Sequence, residues 1–183
     1  MLATTRAALA ALLLAAGAAA ADEDRTDPLD ELFAALSDPQ ARGVEATQRR
    51  IAELWSRSGS DAMDLLLSRG RKAMEAEEFA KADDHLTALI ELAPDFAEGW
   101  NARATVNFLR EEYWAAVSDI QRALALEPRH FGALSGLGVI LERIGDEAGA
   151  LRAFREAARL NPHLDQARSA ADRLAGRVEG RDI

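Results

Sequence analysis

Three prolines, Pro94, Pro128 and Pro162, stand 34 residues apart. The residues around them keep the same step. Leu66, Trp100 and Leu134 form one series, and Gly70, Ala104 and Gly138 a second. Ala82, Ala116 and Ala150 form a third, followed by Leu86, Ile120 and Phe154, and by Leu92, Leu126 and Leu160. Self-similarity at a fixed period of this length marks a repeat array. A unit this small cannot bury its own apolar face, so neighbouring units stack and share a continuous core.

Each series has a packing role. Leu66, Trp100 and Leu134 are large enough to fill the space between two helices of a unit, so Trp100 is expected to be buried there. Small residues at Gly70, Ala104 and Gly138, and at Ala82, Ala116 and Ala150, let backbones approach. Leu86-Leu89-Ile90, Ile120-Ala123-Leu124 and Phe154-Ala157-Ala158 recur at i, i+3, i+4, one face of a helix. Each proline follows the last apolar residue by two, where a helix has ended. The spacing predicts helices at 63–76, 79–92, 97–110, 113–126, 131–144 and 147–160, and no strand. Between paired helices stand Glu77-Glu78, Glu111-Glu112 and Gly145-Asp146. Only the third pair has turn chemistry; the first two suit the first turn of the following helix, where negative charge is favourable.

The period resembles the tetratricopeptide repeat, whose pattern is W-x2-L-G-x2-Y…A-x3-F…P. The unit from Phe131 has Leu134 at the Trp position, then Leu137-Gly138, Ala150, Phe154 and Pro162. The unit from Ala97 has Trp100 itself, Ala104 for Gly, Asn107 for Tyr, then Ala116, Ile120, Ala123 and Pro128. The unit from Met63 keeps Gly70, Ala82 and Pro94, with Arg69 where Leu is usual and Leu89 where Ala is usual. The resemblance covers residues 63–164 and implies an all-α solenoid. Three helix–turn–helix units (63–96, 97–130, 131–164) fill residues 61–164, flanked by an N-terminal helix pair and a C-terminal capping helix.

The N-terminus has the form of an export signal, residues 1–21. Arg6 precedes an apolar run, Ala7 to Ala16, and a small-residue stretch, Gly17 to Ala21, then meets Asp22-Glu23-Asp24. Cleavage is expected after Ala21 or Ala20, with an uncleaved anchor as the alternative. The Ala/Arg-rich signal suggests a bacterial periplasm or secretion, with no stable membrane insertion after cleavage. The chain has no cysteine, which excludes disulfides and thiol chemistry. Its formal net charge is −9, and the excess acid lies in the first half. An acidic chain without a basic stripe argues against nucleic acid and anionic membranes.

Between signal and repeats, residues 22–27 read as a disordered linker. An N-terminal helix pair spans 28–60. Its first helix starts at Pro28, capped by Asp27, with Leu29, Leu32, Phe33 and Leu36 as its stripe. Asp38-Pro39 breaks it. A second helix runs from Ala41 to Arg57 with Val44, Ile51, Leu54 and Trp55 on one side, and Ser60 is the candidate cap of the next. The pair lacks the proline register and reads as a cap, though a degenerate fourth repeat has the same spacing. At the other end, 165–176 forms a capping helix with Ala167, Ala171 and Leu174 on one face, followed by a flexible tail, 177–183.

No catalytic motif is present: no G-x-S-x-G, P-loop, G-x-G-x-x-G or H-E-x-x-H. His130 and His163 follow the repeat prolines and are expected to be solvated. Asp83, Asp84 and His85 are consecutive on a helix and fan apart. No enzyme activity, cofactor or metal is expected. Binding is what remains. The resemblance implies that each unit's first helix lines a concave face. The matching positions are Asp64, Leu67, Ser68, Arg71 and Met74; Glu98, Asn101, Ala102, Thr105 and Phe108; and Ser135, Val139, Glu142 and Arg143. The carboxylate-gripping subclass would need basic and amide residues at Leu67, Arg71, Ala102, Gly132 and Gly136; only Arg71 qualifies, so that clamp is absent. The expected function is a non-catalytic interaction module or scaffold that holds a peptide or protein segment in this groove. The alternative is a self-associating structural module with the groove covered by its own N-terminal helices. The oligomeric state is left open.

Overall fold

The computed structural model describes residues 27–181. The expected leader, and the linker before Asp27, lie outside them. Among the described residues there are nine α-helices and no strand. They are α1 (Pro28–Leu36), α2 (Val44–Trp55), α3 (Asp61–Glu75), α4 (Phe79–Leu92), α5 (Ala97–Leu109), α6 (Tyr113–Leu126), α7 (Phe131–Arg143), α8 (Glu147–Leu160) and α9 (Asp165–Val178).

Helices α3 to α9 pack in chain order, each against the next, and α3, α5 and α7 also approach one another. They therefore make one continuous face. Three core clusters run along the solenoid. The first is built on Leu67, Leu86, Leu89 and Val106, and the second on Ala104, Ala116, Ile120 and Ile140. The third joins Leu134, Leu151 and Phe154 to Ala167, Ala171 and Leu174 of α9. Two glycines permit the close approach their register suggests. A β-carbon on Gly70 would stand 2.6 Å from Leu86, and one on Gly138 2.7 Å from the Phe154 ring.

Trp100 departs from expectation. It is half-buried on the flank rather than enclosed between the helices. Its indole N–H donates to the Pro94 carbonyl at 2.9 Å. The Arg103 and Arg122 guanidinium groups lie 5.3 and 6.0 Å from its ring centre. Trp100→Ala should therefore cost about 1–2 kcal/mol in denaturant melts, the sum of partial burial and a modest cation–π contact, rather than the 3–5 kcal/mol of an enclosed aromatic.

The turns inside the units also differ from the sequence reading. Glu77 and Glu111 take left-handed backbone, with φ of 59° and 62°, as Gly145 does at 90°. All three turns close the same way. The amide of Glu78 donates to Ala73 and that of Glu77 to Met74; Glu112 and Glu111 repeat this with Asn107 and Phe108, and Asp146 and Gly145 with Leu141 and Glu142. This is a Schellman closure, which satisfies the last helical carbonyls. The geometry of the array outweighs the local preference for glycine, so the glutamates are drawn into the turn.

The flanks shift by a few residues. Asp27 caps α1, accepting from the Leu29 amide at 3.0 Å. Helix α2 starts later than expected, after the left-handed Gly43. Ser60 makes no side-chain cap; instead the Asp64 carboxylate accepts from the amide and hydroxyl of Ser58 at 2.8 and 2.6 Å. At the far end α9 continues to Val178 and a 3-10 turn follows at Glu179–Arg181. Val178 packs on the third cluster and Arg177 pairs with Glu142, so part of the expected tail is held.

Candidate functional site

Helices α3, α5 and α7 present the face on which the sequence placed a groove. Leu67 is not available there: it is 2% exposed in the first core cluster. Met74 packs against the same cluster. Phe108 is half-buried, its ring 5.9 Å from Tyr113 and packed on the second cluster. It is part of the floor rather than a free anchor.

Arg71 and Asn101 converge on a buried acid. The Glu98 carboxylate accepts from Arg71, from Asn101 Nδ2 at 3.1 Å and from His130 Nε2 at 2.8 Å. His130 was expected in solvent but is 4% exposed. It is the N-cap of α7, and its Nδ1 accepts from the Ala133 amide at 3.1 Å. With Nδ1 accepting, Nε2 is the nitrogen that carries the proton to Glu98. Burial alone would raise the Glu98 pKa. The hydrogen bond from His130, the charge of Arg71 and the hydrogen bond from Asn101 outweigh it and hold the carboxyl below its ordinary range.

The N-terminal helices sit on this half of the face. Arg71 Nη1 donates to Ser56 Oγ at 3.1 Å. The Trp55 ring stacks on His130 at 4.0 Å between centres, 15° from parallel, and meets Phe131 at 5.0 Å. Phe33 meets Phe131 edge-on at 6.2 Å. His163 Nε2 lies 3.0 Å from the Asp38 carbonyl, so the α1–α2 turn also touches the end of the array.

The other half is open except where Gln48 of α2 borders it. A cavity of about 550 Å³ lies between α7 and α9, with Phe131, Gly136, Val139, Phe154, Leu164 and Ala170 among its lining. Ser135 and Glu142 also line it. Val139 is 43% exposed. Thr105, exposed on α5, turns its hydroxyl back to the Asn101 carbonyl at 3.1 Å. Nine of the fourteen positions expected on the groove therefore divide. Arg71 and Asn101 meet at Glu98 under the N-terminal helices; Ser135, Val139 and Glu142 share the open cavity; Leu67, Met74 and Phe108 pack into the core; Thr105 stands apart.

Glu142 ties α7 to α9. It accepts from Arg173 and from Arg177, the latter at 2.8 Å. The Arg173 hydrogen bond is the largest influence; burial opposes it, and Arg177 and both positive charges reinforce it, leaving a pKa of about 2 against an ordinary 4.5. A depressed carboxyl pKa stabilises above the unfolded value and loses that contribution as pH falls through the folded one. The α7–α9 junction should therefore weaken between pH 4.5 and about 2. Solvent screening limits the loss to about 1 kcal/mol. Urea midpoints across this range should fall for the unaltered chain more than for Glu142→Gln.

No group of three or more His, Asp or Glu residues among those described is placed to hold a metal. No described helix is long and apolar enough to cross a membrane. The residues that sequence reasoning missed are Phe33, Trp55, Arg129, His130 and Phe131. Their contacts join positions some 75 to 100 residues apart, and the repeat register carries no signal of them.

No protein-family model matches the sequence. A TPR repeat-containing protein of Rhizobium etli is 38% identical over 155 residues, spanning 83% of this chain and 75% of that one. Bacteriophage adsorption protein A of Escherichia coli is 36% identical over 121 residues, which span 65% of this chain but only 12% of that protein. Among solved structures, the first TPR of Spaghetti (RPAP3), bound to an HSP90 peptide, superposes with a TM-score of 0.63 at 20% identity, covering 66% of this chain and 95% of that one. MamA superposes with a TM-score of 0.61 at 24% identity, covering 66% and 70%. These two share the fold. The 34-residue register, the paired helices and the extended likeness to the Rhizobium protein place this chain in the tetratricopeptide repeat family.

Proposed function

We propose that this chain is a non-catalytic interaction module of the bacterial periplasm that holds a peptide or protein segment on its concave face. The open cavity beside Val139 carries the reading. Its lining joins apolar Phe131, Val139 and Leu164 to polar Gln48, Ser135, Glu142 and Arg173, the mixture a peptide site uses. The net charge of −9 favours a protein partner over nucleic acid. A segment laid along α7 would bury Val139 and its neighbours without disturbing the core. The periplasmic setting rests on the leader-like residues 1–21 and is tested by N-terminal sequencing of protein from its host, expected to begin at Asp22 or Ala21.

The binding test is a pair of variants in the full chain, used to capture partners from the host's envelope fraction. Val139→Glu places a charge in the cavity and should reduce capture at least tenfold. Trp114→Glu, at a residue 73% exposed on the second helix of its unit, should leave capture intact. Equal capture by both variants would show that the cavity is not the site.

A second reading has its own observation. The N-terminal helices lie over Arg71, Glu98 and His130, so the same contacts made between two chains would give a self-associating module. Concentration-dependent size in solution distinguishes it from the first.

A further inference from the structure

The N-terminal helix pair is seated on three consecutive residues where α6 passes into α7: α1 on Arg129 and Phe131, and α2, through Trp55, on His130 and Phe131. Arg129 pairs with Asp30 and, at 3.1 Å, with Asp27. Its guanidinium lies 4.9 Å from the Phe33 ring centre. His130 stacks on Trp55, and Phe131 receives both Phe33 and Trp55. The seat thus accepts an acid, an acid and an aromatic at three-residue intervals along one helix, Asp27, Asp30 and Phe33.

The hold is light. Helices α1 and α2 pack on one another and reach the repeats chiefly through side chains. The Asp27 and Asp30 carboxylates are about half exposed, and exposed ion pairs contribute little. Nine residues are too few for a helix to persist alone. Phe131 also lines the open cavity beside Val139. A segment bound in that cavity and extended along α7 therefore runs into the place α1 occupies.

We propose that the Arg129–His130–Phe131 seat is a receptor for an acidic–aromatic helical segment of a partner protein, and that α1 is the chain's own copy of it, displaced when the partner binds. The inference rests on the peptide-holding reading above but concerns the covered part of the face. A tethered copy competes at high effective concentration. It lowers apparent affinity by the fraction of time the seat is free, so partner binding at the cavity and at the seat are linked.

The probe is a labelled synthetic peptide of residues 27–40, titrated into the full chain. Asp27→Arg/Asp30→Arg in the protein repels α1 from Arg129 and leaves the seat unaltered. This double variant should bind the peptide about tenfold more tightly than the unaltered chain. Phe33→Ala in the protein releases α1 through its apolar contact instead and should give the same gain. Adding Arg129→Glu to the double variant should remove the gain, as should Phe33→Ala in the peptide. Equal affinity for the unaltered and both released chains, or a gain that survives Arg129→Glu, overturns the proposal. Trp114→Glu in the released background, at a residue 73% exposed on α6 and away from both seat and cavity, should leave the peptide's Kd unchanged. Val139-dependent capture of partners with no peptide binding at the seat would sink this inference and leave the cavity reading standing.

Discussion

Asp119→Ala should destabilise the solenoid by about 2–4 kcal/mol in urea melts, with no change in helix content below the transition. Asp119 is 3% exposed on α6. Its oxygens accept from Arg103 Nε at 2.9 Å and Nη2 at 2.7 Å, and from Asn107 Nδ2 at 2.9 Å. Arg103 reaches on to Thr87 Oγ1 of α4 at 3.1 Å. One carboxylate therefore joins α4, α5 and α6 across the junction of the first two units. The bond to Asp119 is the chief influence on Arg103, whose pKa is raised despite partial burial. Removing the carboxylate strands a buried amide and a guanidinium with limited access to water. Asp119→Asn keeps one acceptor and the volume, so it should lose less.

Phe154→Ala should cost about 3–5 kcal/mol, the usual loss for an enclosed aromatic. Phe154 is almost fully buried in the third cluster, against Gly138 of α7 and the alanine face of α9. It also lines the open cavity. The stability loss should come with weaker partner capture, because α7 and α9 lose the side chain that sets their spacing. A companion change separates the two effects. Gly136→Ala adds a methyl with its nearest neighbour, Ile120, at 3.6 Å, an ordinary contact. It should leave stability unchanged or raise it by up to about 1 kcal/mol, the gain of Ala over Gly inside a helix, while narrowing the cavity and weakening capture.

The legible part of this molecule is the part that repeats. A proline two residues past the last apolar position marks where α4, α6 and α8 end. The i, i+3, i+4 stripes mark which of their faces is buried, because both depend on local backbone and one helical period. The left-handed Glu77 and Glu111 were not legible, since no residue preference announces a turn imposed by helices on either side. Trp100 shows the limit of carrying a series across units: Leu134 is enclosed, but the indole at the same step has an N–H that finds Pro94 on the flank. The candidate site was legible in position but not in state. The face carrying Arg71, Asn101, Ser135, Val139 and Glu142 could be listed only from the family resemblance. That Phe33 and Trp55 would lie against His130 and Phe131 depends on how a non-repeating helix pair docks, and charge and apolar stripe alone do not specify the surface it chooses.

Helix α2 rests on the concave face through Ser56 on Arg71 and Trp55 on His130. Trp55 reports on it directly. The chain has three tryptophans, so Trp100→Phe/Trp114→Phe leaves Trp55 as the only indole, and Trp55→Phe/Trp100→Phe leaves the exposed Trp114. Acrylamide quenching of the two should differ several-fold, with Trp55 the protected one, and Asp27→Arg/Asp30→Arg should raise quenching of Trp55 toward that of Trp114. Trp55 quenched as readily as Trp114 in the unaltered background would mean that the N-terminal helices do not rest on the concave face, and the account would fail.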